Sequence, residues 1–285
     1  MKLQSVGICM KPDQPQAAGL VRGLEKWLEE RGLRVRLDED AAVHTGGSRA
    51  SRADVVGSAD LVVVLGGDGT LLSVARSAGS RAVPILGVNL GTLGFMTEIA
   101  QDEMYAALER VLGGQMHVES RMRLAVRALR GDQVLGEFLA LNDAVLANAT
   151  SARMVEVQTQ VDGDEMTTYH ADGLIVSTPT GSTAYSLSAG GPILMPQFEA
   201  FVLTPISPHT LTQRPVVLPG ASRIQLRPRG RGEEVRLTVD GQDDVTLRDE
   251  DLVEIEHSPH AVSLVVSPFR NHFAILREKL RWGTR

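Results

Sequence analysis

Five aliphatic residues, Leu61-Val-Val-Val-Leu65, run straight into Gly66-Gly-Asp-Gly-Thr70. The run is too short to span a membrane. It also lacks the alternation of a half-buried strand, so it predicts a strand covered on both faces, as in a parallel sheet flanked by helices. The glycines at 66, 67 and 69 free the backbone for positive φ and for close approach of a ligand. Thr70 is placed to cap a helix suggested by Leu71, Leu72, Val74 and Ala75. Amides at such a turn and helix start attract an anion, typically phosphate. Asp68 is the anomaly. A carboxylate repels phosphate, so its position inside the loop suggests a group placed there for chemistry. The alternative is an ordinary strand-to-helix turn, where Gly and Asp are common.

The same alternation extends through the first 114 residues. Val6 to Met10 reads as a buried strand. Ala17, Leu20, Val21, Leu24, Trp27 and Leu28 then recur at helical spacing, and Gly32 ends that helix. Arg34 to Leu37 reads as a second strand, and residues 42–54 as a polar, mobile loop. Val83 to Val88 forms another buried run. It leads into a second glycine-bearing loop, Asn89-Leu-Gly-Thr-Leu-Gly-Phe95. A helix over Glu103 to Leu112 follows, closed by Gly113-Gly114. Strand–helix alternation predicts a doubly wound, Rossmann-like α/β domain. Ligands bind such sheets beyond the carboxyl ends of the strands, where both glycine loops fall.

Beyond Gly114 the pattern becomes β-rich. Leu124 to Leu129, Phe138 to Leu141, Met154 to Val161, Leu174 to Ser177, Arg223 to Arg227, Val235 to Val239 and Leu252 to Ile255 all read as strands. Arg130-Gly131-Asp132 and Asp162-Gly163 supply hairpin turns. Phe273 to Leu280 is helical by pattern and is expected to return to the first domain. The expected division is therefore 1–114 with 261–285, and 115–260. A length of 285 residues accommodates two such domains.

Composition narrows the function. The formal net charge of −6 argues against a nucleic-acid partner. The arginines at 223, 227, 229 and 231 run into Glu233 and Glu234 and read as a solvated loop. No apolar run reaches the roughly 20 residues of a membrane helix. Cys9 is the only cysteine, which excludes an internal disulfide and fits a reducing, cytoplasmic setting. It falls in a strand and reads as a small core residue. The seven histidines show no metal-ligand spacing, and neither a Walker A pattern nor a complete GxGxxG fingerprint is present.

A second chemical region spans Asp172-Gly173 and Thr178-Pro-Thr-Gly-Ser-Thr-Ala-Tyr-Ser-Leu-Ser-Ala-Gly-Gly-Pro192. Seven of the eleven residues from Thr178 to Ser188 carry a hydroxyl. Short neutral donors and acceptors suit ribose, adenine edges and phosphate oxygens. Ser182 can cap a short helix over Thr183 to Ser188, and Tyr185 can stack on a base. Such a loop can also simply satisfy its own backbone. Asn142-Asp143 can grip vicinal hydroxyls or an adenine edge, although the same pair commonly makes a turn.

In chain order, Gly66-Gly-Asp-Gly-Thr70, Asn89 to Phe95, Asn142-Asp143, Asp172-Gly173 and Thr178 to Pro192 resemble the NAD kinase family over nearly the whole length. The first motif is shared in variant form with diacylglycerol, sphingosine and phosphofructokinases; Thr178 to Pro192 is far more specific. The family commonly has Asn-Glu where this chain has Asn142-Asp143, a carboxylate one methylene shorter. The resemblance implies an α/β domain plus a β-sandwich-like domain. It also implies transfer of the γ-phosphate of ATP to the 2′-hydroxyl of the adenosine ribose of NAD, giving NADP. Asp68 would be the proton acceptor. Gly66, Gly67, Gly69 and Thr70 would cradle the phosphates with a divalent cation, Mg²⁺ by expectation. Its metal ligands are unassigned. The dinucleotide would meet Asp68, Gly69, Asn142, Asp143, Arg153, His170, Asp172, Thr183, Ala184, Tyr185, Ser186, Leu187, Ser188 and Gln242. A homodimer or homotetramer is implied. The competing readings are a lipid kinase of the diacylglycerol type and a non-catalytic NAD(P) sensor.

Overall fold

The computed structural model describes residues 3–148, 154–210, 212–229 and 234–283. The chain divides into two compact units, Met1–Ser120 with Val262–Arg285, and Arg121–Ala261. In the first, strands β1 (Ser5–Met10), β2 (Arg34–Asp38), β3 (Arg49–Ala50), β4 (Leu61–Gly66) and β5 (Pro84–Asn89) lie in the order β3-β2-β1-β4-β5. All these pairs are parallel. The sheet continues through Val262–Val265 to Val118–Arg121. Strand order reverses between β1 and β4, and such a reversal opens a crevice at the carboxyl ends of the strands.

Every residue of β1 and β4 is buried, as the unbroken aliphatic run requires. Val6, Ile8, Leu61, Val63 and Leu65 share a core with Val21, Leu24 and Leu28 of helix α1 (Ala18–Glu29). On β1, a side chain at Gly7 would come within 2.6 Å of Val55. Only glycine allows this approach to the segment carrying Val55.

That segment differs from the expected polar loop. Residues 42–54 fall largely within α2 (Glu39–Thr45), β3 and α3 (Arg52–Ser58). Two short polar caps make the helices. The Asp38 carboxylate accepts from Ala41 N at 2.9 Å, and Ser51 Oγ accepts from Asp54 N at 3.1 Å. Arg52 then turns inward. Its guanidinium donates to Asp38 at 2.8 Å, to Asp40 at 3.0 Å, to the Met10 carbonyl at 3.0 Å and to Ser73 Oγ at 2.8 Å. One charge thus joins β1, β2, α3 and the helix after β4. Hydropathy alone reads these residues as surface because it does not register a buried ion pair.

Among the described residues the second unit is β throughout, apart from two short helical turns, Gly181–Thr183 and Tyr185–Ser188. Six antiparallel strands run in the order Val216–Pro219, Ala200–Ile206, Gly173–Ser177, Asp143–Asn148, Val235–Val239, Asp243–Leu247. Six more run Asp164–Ala171, Val155–Val161, Ile224–Arg229, Leu252–His257, Leu124–Arg130, Gln133–Ala140. Leu146, Leu174, Phe201 and Leu237 of the first sheet share one core with Val126, Val157, Leu226 and Ile255 of the second, a β-sandwich-like arrangement. Asp162 and Gly163 both have positive φ, the two-residue turn that matches strand twist. The strand reading of Arg223 to Arg227 holds over the solvated-loop reading of the same arginines, and Arg231 and Glu233 lie outside the described residues. Ile224–Arg229 is a strand, and Arg223 pairs with Glu254 and Glu256 of the neighbouring strand. Alternating charges on the open face of a sheet mimic loop composition.

The C-terminal helix His272–Leu280 belongs to the first unit, and Asn271 caps it by accepting from Ala274 N at 2.9 Å. Cys9 is wholly buried in β1, and burial pushes its thiol well above the ordinary range, as suits an inert core residue. Among the described residues no helix is long and apolar enough to cross a membrane.

Removing Arg52 strands the buried Asp38 carboxylate. We expect Arg52→Ala to cost about 3 kcal/mol in urea unfolding, in the range for breaking a buried pair. Lys26→Ala, at an exposed pair with Glu30, should cost less than about 1 kcal/mol. Equal losses would show that the Arg52 cluster does not hold the elements together.

Candidate functional site

In the first unit the candidate residues gather at the ends of β4 and β5. Helix α4 (Asp68–Ser77) begins immediately after β4, with Gly67 as its N-cap and no side chain capping it. The expectation that Thr70 caps this helix is corrected: Thr70 lies inside the first turn and is buried. The three loop glycines also work differently from the expectation, since none has positive φ. Gly66 is needed for packing, because a side chain there would meet Thr70 Oγ1 at 2.5 Å. Gly67 and Gly69 have open space where a side chain would stand. A ligand can therefore approach the backbone of the first turn, where the helix dipole favours negative charge.

Asp68 is the first residue of α4, and its carboxylate is held by the loop that follows β5. Oδ2 accepts from Phe95 N at 2.8 Å. Oδ1 accepts from Met96 N at 3.1 Å, from Thr97 N at 2.9 Å and from Thr97 Oγ1 at 2.9 Å. Gly94 closes the contact, since any side chain there would lie 2.1 Å from Asp68 Oδ1. The two glycine loops are thus joined through one carboxylate. Sequence reading singled out Asp68 and the Asn89–Phe95 loop separately. Thr97 lies two residues beyond that motif and was missed.

In the second unit Asn142 and Asp143 lead into the strand Asp143–Asn148. Asp240, in the turn after Val235–Val239, accepts from all three backbone amides there. They are Leu141 N at 2.8 Å, Asn142 N at 2.7 Å and Asp143 N at 3.0 Å. Asp240 has φ of 50°, a left-handed conformation that Asp tolerates. Thr178 grips the same segment from the other side, with N donating to the Asn142 carbonyl at 2.9 Å and Oγ1 to the Leu141 carbonyl at 2.6 Å. Gly181 is obligatory here, because a side chain would meet the Asn142 carbonyl at 2.0 Å. Two sequence motifs, Asn142-Asp143 and Thr178 to Gly181, therefore form one structure. Gln242 lies two residues beyond Asp240 in the same turn region. Sequence reading missed Asp240, although Asp240-Gly241 between two β runs is a hairpin signal of the kind recognised at Asp162-Gly163.

The two carboxyls, Asp143 buried and Asp240 half-buried, differ in environment. Burial, and next the Asp240 charge, push the Asp143 carboxyl up to about 7. Asp143 has no donor to its carboxyl among the described residues. Burial raises Asp240 also, but three amides and the Arg123 guanidinium oppose it. The three amides and Arg123 thus favour the charged form of Asp240, whereas Asp143 lacks such donors among the described residues.

The remaining residues divide by exposure. Tyr185 opens the helical turn Tyr185–Ser188 and is 47% exposed. Thr183, Ala184 and Leu187 are half-buried and Ser188 is exposed. Ser186 is fully buried and bonds Thr204 Oγ1 at 2.8 Å, so its hydroxyl is committed inside. Ser182 does not cap this turn. It lies in a preceding 3₁₀ turn and donates to the Pro179 carbonyl. Asp172 is exposed, and His170 Nδ1 lies 3.5 Å from Glu156. Arg153 falls outside the described residues. No group of three or more His, Cys, Asp or Glu among the described residues is arranged to hold a metal.

This combination of loops is found in known proteins. Models of the ATP-NAD kinase N-terminal and C-terminal domains match residues 6–116 and 141–267. The NAD kinase of Solibacter usitatus is 48% identical over 284 residues, covering 99% of each chain. That of Geobacter sulfurreducens is 46% identical, covering 99% of this chain and all of the other. Yeast NADH kinase, solved with NADH, is 28% identical with a TM-score of 0.90, over 100% of this chain and 89% of that one. An NAD kinase from Archaeoglobus fulgidus, solved with ATP, is 27% identical with a TM-score of 0.80, over 98% and 99%. With both domain models matched and full-length relatives this similar, the chain belongs to the NAD kinase family, enzymes that phosphorylate NAD with ATP.

Proposed function

We propose that the chain transfers the γ-phosphoryl group of ATP to the 2′-hydroxyl of the adenosine ribose of NAD, with Asp68 accepting the hydroxyl proton. The observation that carries this reading is the state of Asp68. It opens a helix whose N-cap is Gly67, a side chain at Gly67 or Gly69 would stand in open space, and among the described residues its Oδ2 accepts one hydrogen bond. That oxygen retains a lone pair for a substrate hydroxyl. In the reaction the ribose oxygen forms a bond to the γ-phosphorus. The bond from that phosphorus to the bridging oxygen breaks, ADP leaves, and the hydroxyl proton passes to Asp68.

Phosphoryl transfer depends on positioning and charge neutralisation more than on covalent help from the protein. The amides at the start of α4 suit the phosphates of ATP. The chain offers no carboxylate or imidazole cage for a cation among its described residues. A divalent cation entering with the nucleotide is instead suited to phosphate and water ligands, the habit of Mg²⁺. In the second unit Tyr185 supplies a stacking face, and Asn142 and Asp143 supply an amide and a carboxyl for ribose or adenine. The solved relatives with NADH and with ATP support both substrate classes. Dimeric or tetrameric assembly, which rests on family resemblance, and a cytoplasmic location, which fits the single cysteine, belong to the same proposal.

Three measurements test this reading. Asp68→Asn should lower kcat by about 10²–10⁴, the usual cost of losing a general base, while NAD binding and circular dichroism remain. Wild-type-like turnover would remove Asp68 from the mechanism. Tyr185→Ala should raise the KM for NAD well above its effect on that for ATP; equal changes would argue against stacking on the dinucleotide.

The third is a pH dependence. The folded Asp143 holds a proton that the unfolded chain has released above about pH 4. Its contribution to stability therefore falls as pH rises from about 4 to about 7. Asp143→Asn mimics the protonated carboxyl, so its Tm relative to wild type should rise across that window. A constant difference would show that Asp143 is ionised throughout.

A further inference from the structure

Asp68 does not reach its loop partners alone. Thr97 is fully buried, and its hydroxyl lies between two side chains. Asn89, the last residue of β5, donates from Nδ2 to Thr97 Oγ1 at 2.9 Å. The orientation of that amide is set at its other end, where Asn89 Oδ1 accepts from Gly91 N at 2.6 Å. Because Thr97 Oγ1 accepts from Asn89, its own proton is directed to Asp68 Oδ1, 2.9 Å away. The hydrogen bonds thus have one sense, from Asn89 through Thr97 to Asp68.

The consequence falls on the two oxygens of one carboxylate. Oδ1 receives three donors, Thr97 Oγ1, Thr97 N and Met96 N, more than its roughly two lone pairs accommodate well. Among the described residues Oδ2 receives only Phe95 N. The methyl side of Thr97 is fixed as well. Gly87 of β5 leaves just enough room for it, since a side chain there would meet Thr97 Cγ2 at 3.0 Å and Leu71 of α4 at 2.9 Å. Thr97 therefore has both rotational ends held, its hydroxyl by Asn89 and Asp68 and its methyl against Gly87.

We propose that Thr97, oriented by Asn89, is a positioning residue for Asp68: it saturates Oδ1 and so presents Oδ2 to the substrate hydroxyl. This rests on Asp68 being the proton acceptor. The hydroxyl is the one donor in the set that a substitution can remove without touching the backbone. Valine keeps the shape of threonine and loses the hydroxyl, while serine keeps the hydroxyl and loses the methyl.

The test compares Thr97→Val, Thr97→Ser, Asp68→Asn and the Asp68→Asn/Thr97→Val double variant in the full chain. For each, kcat and both KM values are measured, with thermal unfolding alongside. We expect Thr97→Val to lower kcat roughly 10–100-fold, within the range of a misplaced general base, with KM for ATP and NAD nearly unchanged. Thr97→Ser should stay near wild-type kcat even if its Tm falls. Because the effect passes through Asp68, the double variant should be no slower than Asp68→Asn, the coupling expected of groups acting as a unit. Undiminished turnover in Thr97→Val overturns the proposal, as does equal impairment by valine and serine or a double variant whose losses multiply. Should Asp68→Asn itself turn over normally, the acceptor assignment fails instead, and that outcome is separable from the others.

Discussion

The first unit depends on a carboxylate that accepts backbone amides. Asp68 begins α4, yet its oxygens are bound to the loop after β5. Without that anion three consecutive amides, Phe95 to Thr97, would lose their shared acceptor in a partly buried place, where an unmade hydrogen bond costs about 1–3 kcal/mol. The arrangement also resolves the anomaly of an acidic residue in a phosphate-type loop. The amides of 95–97 stabilise the negative charge on Asp68 from behind, so the helix start in front remains available to another anion. Both oxygens of the carboxylate hold the loop, Oδ1 through Met96 and Thr97 and Oδ2 through Phe95.

The second unit uses the same device. Asp240 accepts from the amides of Leu141, Asn142 and Asp143, and fixes the segment that presents Asn142 and Asp143. In both cases a short acidic side chain spans a large sequence separation to hold three successive N–H groups. Such a nest orders a loop without a long apolar side chain, which leaves the adjoining surface polar. Asp240 also changes its neighbour. Burial first, and then the Asp240 charge beside it, push the Asp143 carboxyl up to about 7.

Much of this was legible in the residues. The aliphatic run at Leu61–Leu65 required a strand covered on both faces, and β4 is wholly buried. The alternation in Val155–Val161 recurs as alternate burial. Asp162-Gly163 and the C-terminal helix follow directly from local chemistry. What could not be read were bonds between distant residues. Residues 42–54 look like loop because their polarity serves caps and the Arg52 cluster. Thr97 and Asp240 look ordinary because their partners lie 29 and 97 to 99 residues away. Ser186 was placed among ligand-facing residues by its motif, yet its hydroxyl points to Thr204. A motif gives the residue types, and only the fold decides which oxygen faces inward.

The Asp68 carboxylate organises the loop it faces. Amide hydrogen exchange at Phe95, Met96 and Thr97, in the full chain without nucleotide, reads this most directly. Strong protection at all three is expected in the wild type, with loss of that protection in Asp68→Ala while the amides of β1 and β4 stay protected. Exchange at the rate of an unstructured loop in the wild type, or protection that survives Asp68→Ala, would contradict the account.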